Sequence, residues 1–117
     1  MNVPPRVCDL PAALARLGDN AELARELLDL FREDAPVFQS RLNSALARGD
    51  FVEVERASHS LTGMLTMFGA EAAMQVSQRL ERMGHAGDLT EAQGQNEILG
   101  SEISRFLETM TTKLENL

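Results

Sequence analysis

Of the two histidines in the chain, His59 stands where an imidazole can react with something outside the molecule. Read as a helix of about 100° per residue, the stretch 50–68 gathers Val54, Ala57, Leu61, Met64, Leu65 and Phe68 on one face. His59 falls almost opposite, beside Val52, Glu55, Arg56, Thr62, Gly63 and Thr66. A glycine inside a helix costs roughly 1 kcal/mol relative to alanine. Gly63, one turn after His59, has the effect of stripping side-chain bulk from beside the imidazole. With an ordinary pKa of about 6.5, a histidine is mostly neutral near pH 7 and therefore nucleophilic. The spacing describes an imidazole that a large partner must reach.

Other chemistries lack their residues. Two histidines and one cysteine, far apart in sequence, do not make a metal site. There is no glycine-rich phosphate loop. Ser58 and Ser60 flank His59, but adjacent helical residues point to different sides and cannot form a nucleophile–base pair. His85 lies in Gly84-His85-Ala86-Gly87, which reads as a loop with an idle, solvated imidazole. Cys8 has nothing around it to lower its pKa and reads as inert. Met64, Met67, Met74 and Met83 read as core filler, Met67 alone lying off the apolar centre.

The elements that must position His59 are set off by three Gly-Asp pairs, Gly18-Asp19, Gly49-Asp50 and Gly87-Asp88, and by a weaker break at Phe68-Gly69-Ala70. Each pair offers a glycine to end one helix and an acid to cap the next. Asp50 with Glu53, and Asp88 with Glu91, also have capping-box spacing. These signals predict a short helix near 10–17, then long ones over about 21–48, 51–67, 71–83 and 89–115, all with apolar residues at helical spacing. Pro36 interrupts the first long helix, yet the stripe resumes in phase at Phe38, so a kink is expected rather than a break. No segment alternates with period two. Short loops between amphipathic helices make antiparallel neighbours, so the expected fold is all-α, an up-and-down antiparallel four-helix bundle with a short N-terminal helix, one domain over residues 1–117.

The formal charge of −7 argues against nucleic acid or an anionic membrane as partner. No apolar run reaches the roughly 20 residues that span a bilayer, and the start Met-Asn-Val-Pro-Pro-Arg does not read as a signal peptide. A lone cysteine fits a reducing compartment, so a cytoplasmic protein is expected.

The run Ala57-Ser58-His59-Ser60-Leu61-Thr62-Gly63, continuing to Phe68-Gly69-Ala70, resembles the signature of histidine-containing phosphotransfer domains. In that family the phosphoacceptor histidine is followed by a leucine-type residue at +2, lysine at +3, glycine at +4 and a later Gly-Ala turn. Leu14–Asp19, Glu22-Leu23 and Phe31–Asp34 resemble the family's opening, and Leu80-Glu81 with Gly87-Asp88 its closing turn, so the likeness spans roughly residues 8–90. Thr62 stands in the lysine position.

The resemblance implies that His59 is the phosphorylated side chain and that the chain carries phosphate between the aspartates of response-regulator receiver domains, often within a hybrid sensor kinase. It implies a phosphocarrier without autonomous catalysis and without a cofactor, Mg²⁺ residing on the receiver. If the hairpin turns near Ala70, Glu81 lies opposite His59, 11 residues on each side. Related domains place a glutamine or glutamate there, bonded to Nδ1, so Glu81 is expected to orient the ring and Nε2 to attack. Gly63 is expected to admit the receiver, with Val52, Arg56, Ser60, Thr66 and Met67 as the docking rim. Arg56, and less so Arg79 and Arg82, could supply the charge Thr62 lacks. Two rival readings stand beside this one: a helical adaptor without covalent chemistry, and the phosphoacceptor domain of a chemotaxis-type kinase.

Overall fold

A computed structural model describes residues 3–117. Met1 and Asn2, the start of the segment read above for a leader, lie outside the described residues. Among the described residues there are helices and no strand: α1 (Leu10–Arg16), α2 (Ala21–Arg48), α3 (Phe51–Met67), α4 (Glu71–Ala86) and α5 (Ala92–Glu115). α2 packs on α3, α3 on α4, α4 on α5, and α5 returns to α2, which closes the up-and-down antiparallel bundle. α1 lies against α2 and α5. Its N-terminal lead seals the α3–α4 turn through Asp9 N–H to the Phe68 carbonyl at 2.9 Å and Ala72 N–H to the Arg6 carbonyl at 2.9 Å.

Local chemistry accounts for the helix ends. Asp50 caps α3 by accepting the Glu53 N–H at 3.1 Å. The reciprocal half of that capping box is absent, because the Glu53 carboxylate turns instead to Arg41 at 2.6 Å. Gly49 and Gly87 end α2 and α4 at φ of 65° and 68°, a conformation that costs a side-chain-bearing residue steric strain. α2 runs unbroken through the exposed Pro36, since Phe31, Ala35 and Leu42 on either side remain buried in the core.

Three expectations are corrected. Asp19 does not cap α2; it takes a left-handed φ of 60°, and Asn20 accepts the Leu23 N–H at 3.0 Å. Asp88 forms no capping box with Glu91. Its carboxylate accepts from the Thr90 N–H and hydroxyl at 3.1 and 2.7 Å, a local turn that delays the start of α5 to Ala92. α4 runs on through Gly84 and His85 to Ala86, so His85 is helical rather than in a loop.

The core is continuous across all four long helices. Leu42, Leu61, Leu65, Leu80, Leu99 and Met110 are fully buried. Phe31, Phe68 and Phe106 form an aromatic cluster with centroids 5.3–6.3 Å apart, two of the contacts edge-to-face. Each such pair adds about 0.5–1.5 kcal/mol beyond the area buried. The cluster joins α2, the end of α3 and α5, so it anchors the helix that carries His59.

Candidate functional site

The α3–α4 hairpin has its register centred near Ala70. Thr66 meets Met74, Thr62 meets Ser77, His59 meets Glu81 and Glu55 meets His85. Nδ1 of His59 lies 2.7 Å from Oε1 of Glu81. The His59 side chain is 76% exposed and that of Glu81 28%. A carboxylate can only accept, so a neutral imidazole that keeps this contact carries its proton on Nδ1 and its lone pair on Nε2. A Cβ built on Gly63 would meet nothing within 4 Å, so the space beside the imidazole is open.

Thr62 is half-buried and points toward α4. Its hydroxyl lies 2.9 Å from the Ser58 carbonyl and 2.7 Å from Ser77 Oγ, which in turn donates to the Met74 carbonyl at 2.9 Å. Two hydroxyl protons serve three contacts, so neither is left over for a group on His59. Arg56 is exposed and lines an open concavity of about 550 Å³ with His59, Ser60, Glu81, Glu55 and Arg41. Arg79 and Arg82 line a different concavity, with Met83, Ala86, Asp88 and Glu91.

Val52 is exposed two turns before His59. The Ser60 hydroxyl donates back to the Arg56 carbonyl at 3.1 Å, and that of Thr66 to the Thr62 carbonyl at 2.7 Å. Met67 and Met64 are half-buried and line an apolar groove of about 300 Å³ with Gly63, Phe68 and, from α2, Leu27, Leu30, Phe31 and Asp34. Arg16 donates to the Thr66 and Met67 carbonyls at 3.0 and 2.9 Å, placing a cation at the C-terminus of α3. His85 Nδ1 stands 3.4 Å from Glu55 Oε1. Burial pushes the Cys8 thiol up, which keeps it protonated and unreactive. No cluster of His, Cys, Asp and Glu among the described residues could hold a metal ion.

The model of the family described as Hpt domain matches residues 26–117. The chain belongs to the Hpt domain family. Its role is phosphotransfer in two-component phosphorelays, and Hpt domains are phosphocarrier modules that work with receiver domains and hybrid kinases. Two solved structures share the fold of this Hpt domain. One is histidine-containing phosphotransfer protein B (HptB) from Pseudomonas aeruginosa PAO1, at 21% identity and a TM-score of 0.86 over 99% of both chains. The other is the HPT domain from a hybrid histidine kinase of Shewanella, at 17% identity and a TM-score of 0.78 over 95% of this chain and 96% of that one. No curated protein matches the chain. Among the described residues no helix is long and apolar enough to cross a membrane.

Sequence reasoning missed the α2 side of this Hpt domain's site. Arg41 lines the concavity of His59, and Leu30 and Asp34 line the groove beside Gly63. The α2 periodicity says which residues are buried; it does not say which exposed ones stand next to α3.

Proposed function

We propose that His59 is the phosphoryl acceptor of this Hpt domain, with Nε2 as the nucleophile and Glu81 as its orienting partner. The observation that carries the reading is the 2.7 Å contact of Nδ1 with the Glu81 carboxylate on an imidazole that is otherwise exposed. The Nε2 lone pair attacks the phosphorus of a receiver's aspartyl phosphate. An N–P bond forms as the P–O bond to the aspartate breaks, and that bond's electron pair leaves with the carboxylate. The ring, now substituted at Nε2 and protonated at Nδ1, is cationic and faces the Glu81 carboxylate. No proton has to move. Discharge to a second receiver is the reverse.

Phosphoryl transfer depends on positioning and charge neutralisation. The reading assigns Mg²⁺ and the lysine of the transfer centre to the receiver, no cofactor to this chain, and no autonomous catalysis. Gly63 admits the receiver. Val52, Arg56, Ser60, Thr66 and Met67 form the docking rim, extended by the groove between α2 and α3. The whole chain acts as one module in the cytoplasm. The test is incubation with a panel of phosphorylated receiver domains and Mg²⁺. Wild type should acquire acid-labile, alkali-stable phosphate and His59→Gln none. Labelling only by ATP with a kinase core would favour the chemotaxis-type reading, and no labelling from any source the adaptor reading.

A further inference from the structure

We propose that Gly84 sets the distance between His59 and Glu81, a positioning role exerted one helical turn from the pair. The proposal rests on the reading of Glu81 as the partner of His59. Gly84 follows Glu81 by three residues on α4, and Glu55 precedes His59 by four on α3. A Cβ on Gly84 would stand 2.7 Å from the Glu55 nitrogen, 2.8 Å from the Phe51 carbonyl oxygen and 3.1 Å from the Glu55 Cα. All three are backbone atoms of α3 and cannot swing aside as a side chain does. The two helices therefore touch main chain to main chain here, and any side chain at residue 84 must push α4 outward.

Glu81 moves with that displacement, because residues three apart on a helix share a face. On the other side of the pair the hairpin is pinned by the hydroxyl contact of Thr62 with Ser77 at 2.7 Å, beside the fully buried Ser58. The His59–Glu81 contact is thus bracketed by a hydrogen bond toward the turn and by the Gly84 contact away from it. An N–H···O bond weakens beyond about 3.2 Å and is gone by about 3.6 Å, so opening the 2.7 Å contact by more than half an ångström loosens the lock on the ring. Gly63, with nothing near its missing Cβ, does a different job on the same hairpin.

The test compares the full chain with Gly84→Ala, Glu81→Ala and the double variant. It follows transfer from a phosphorylated receiver and, without any partner, the ¹⁵N shifts that report the His59 tautomer. Leu114→Ala, in the α5 core, is the control for loss of stability without displacement of the hairpin. Gly84→Ala should slow transfer about tenfold, as loss of a charge-assisted bond does, and raise the Nε2–H tautomer. It should change neither quantity further in the Glu81→Ala background, and Leu114→Ala should leave the tautomer alone. Equal slowing by Gly84→Ala in both backgrounds, or an unchanged tautomer, would overturn the positioning role. If Glu81→Ala alone changes nothing, the reading of Glu81 fails first and separately. Should Gly84→Ala unfold, the measurements are repeated in trimethylamine N-oxide, which favours the compact state. A chain still unfolded there would show that Gly84 serves the fold only, which also overturns the proposal.

Discussion

Glu55 faces His85 across the same seam on which Glu81 faces His59, one turn further from the Ala70 turn, with acid and imidazole exchanged between the helices. The two pairs are not equivalent. The Glu55–His85 separation of 3.4 Å is too long for a good hydrogen bond, whereas 2.7 Å is a short, charge-assisted one. Only His59 has its tautomer held, and only His59 has Gly63 one turn on.

Phosphate should therefore reside on His59 alone. His59→Gln is expected to abolish labelling from a phosphorylated receiver while the helical circular dichroism stays unchanged. His85→Gln should label as wild type does. Undiminished labelling of the His59 variant would end this assignment.

Access is the second point. Gly63→Gln removes a helix-interior glycine from a place with open space around it, so the domain should gain up to about 1 kcal/mol of stability in a denaturant titration. Transfer from the receiver should nevertheless fall by an order of magnitude or more, on the order of what misplacing a reacting group costs. Normal transfer in this variant would mean that the receiver does not approach over Gly63.

The charge around the phosphoryl group is the third. Thr62→Lys should lengthen the lifetime of the phosphohistidine once the receiver is removed. It should also lower stability by about 1 kcal/mol, since it breaks the hydroxyl contact with Ser77. Arg56→Ala should shorten the lifetime. Arg41→Ala should shorten it less, because its guanidinium is already engaged by Glu53 at 2.6 Å. Phosphohistidine decay followed over hours separates these outcomes, and an unaltered lifetime in Arg56→Ala would remove that residue from the site.

Asp50 gives a pH test of the helix that carries His59. The Glu53 N–H, and after it Arg48, hold the Asp50 carboxyl below the ordinary carboxylate value. A depressed folded-state pKa adds stability at pH values above the unfolded pKa of about 3.9 and loses it as pH falls through the lower folded value. Asp50→Ala should therefore melt at a lower temperature than wild type at pH 7, and the gap should narrow on acidification below about pH 4. A gap that stays constant down to pH 2 would show that the cap acts without its charge.

The sequence alone determined the helices, their ends to within a few residues, the exposed face of α3 and even the juxtaposition of His59 with Glu81. These depend on near neighbours: apolar residues at helical spacing, a capping acid, a glycine at a helix end, and a hairpin whose turn at Ala70 makes distances from it equal on both arms. Where two local signals compete, sequence reading chose wrongly, as with Asp19 over Asn20, or with Gly84-His85 as a loop when the residues continue α4.

Tertiary structure alone decided how close the helices come and which exposed residues meet. Gly84 looks like a helix breaker until Phe51 and Glu55 are seen against it, and Thr62 looks free until Ser77 takes its hydroxyl. Arg41 joins the concavity of His59 only because α2 packs against α3. Interhelical distance and rotation are set by core side chains from distant parts of the chain, such as Phe31, Phe68 and Phe106. Helical periodicity specifies which side of each helix is buried and carries no information about the depth to which two buried sides interlock.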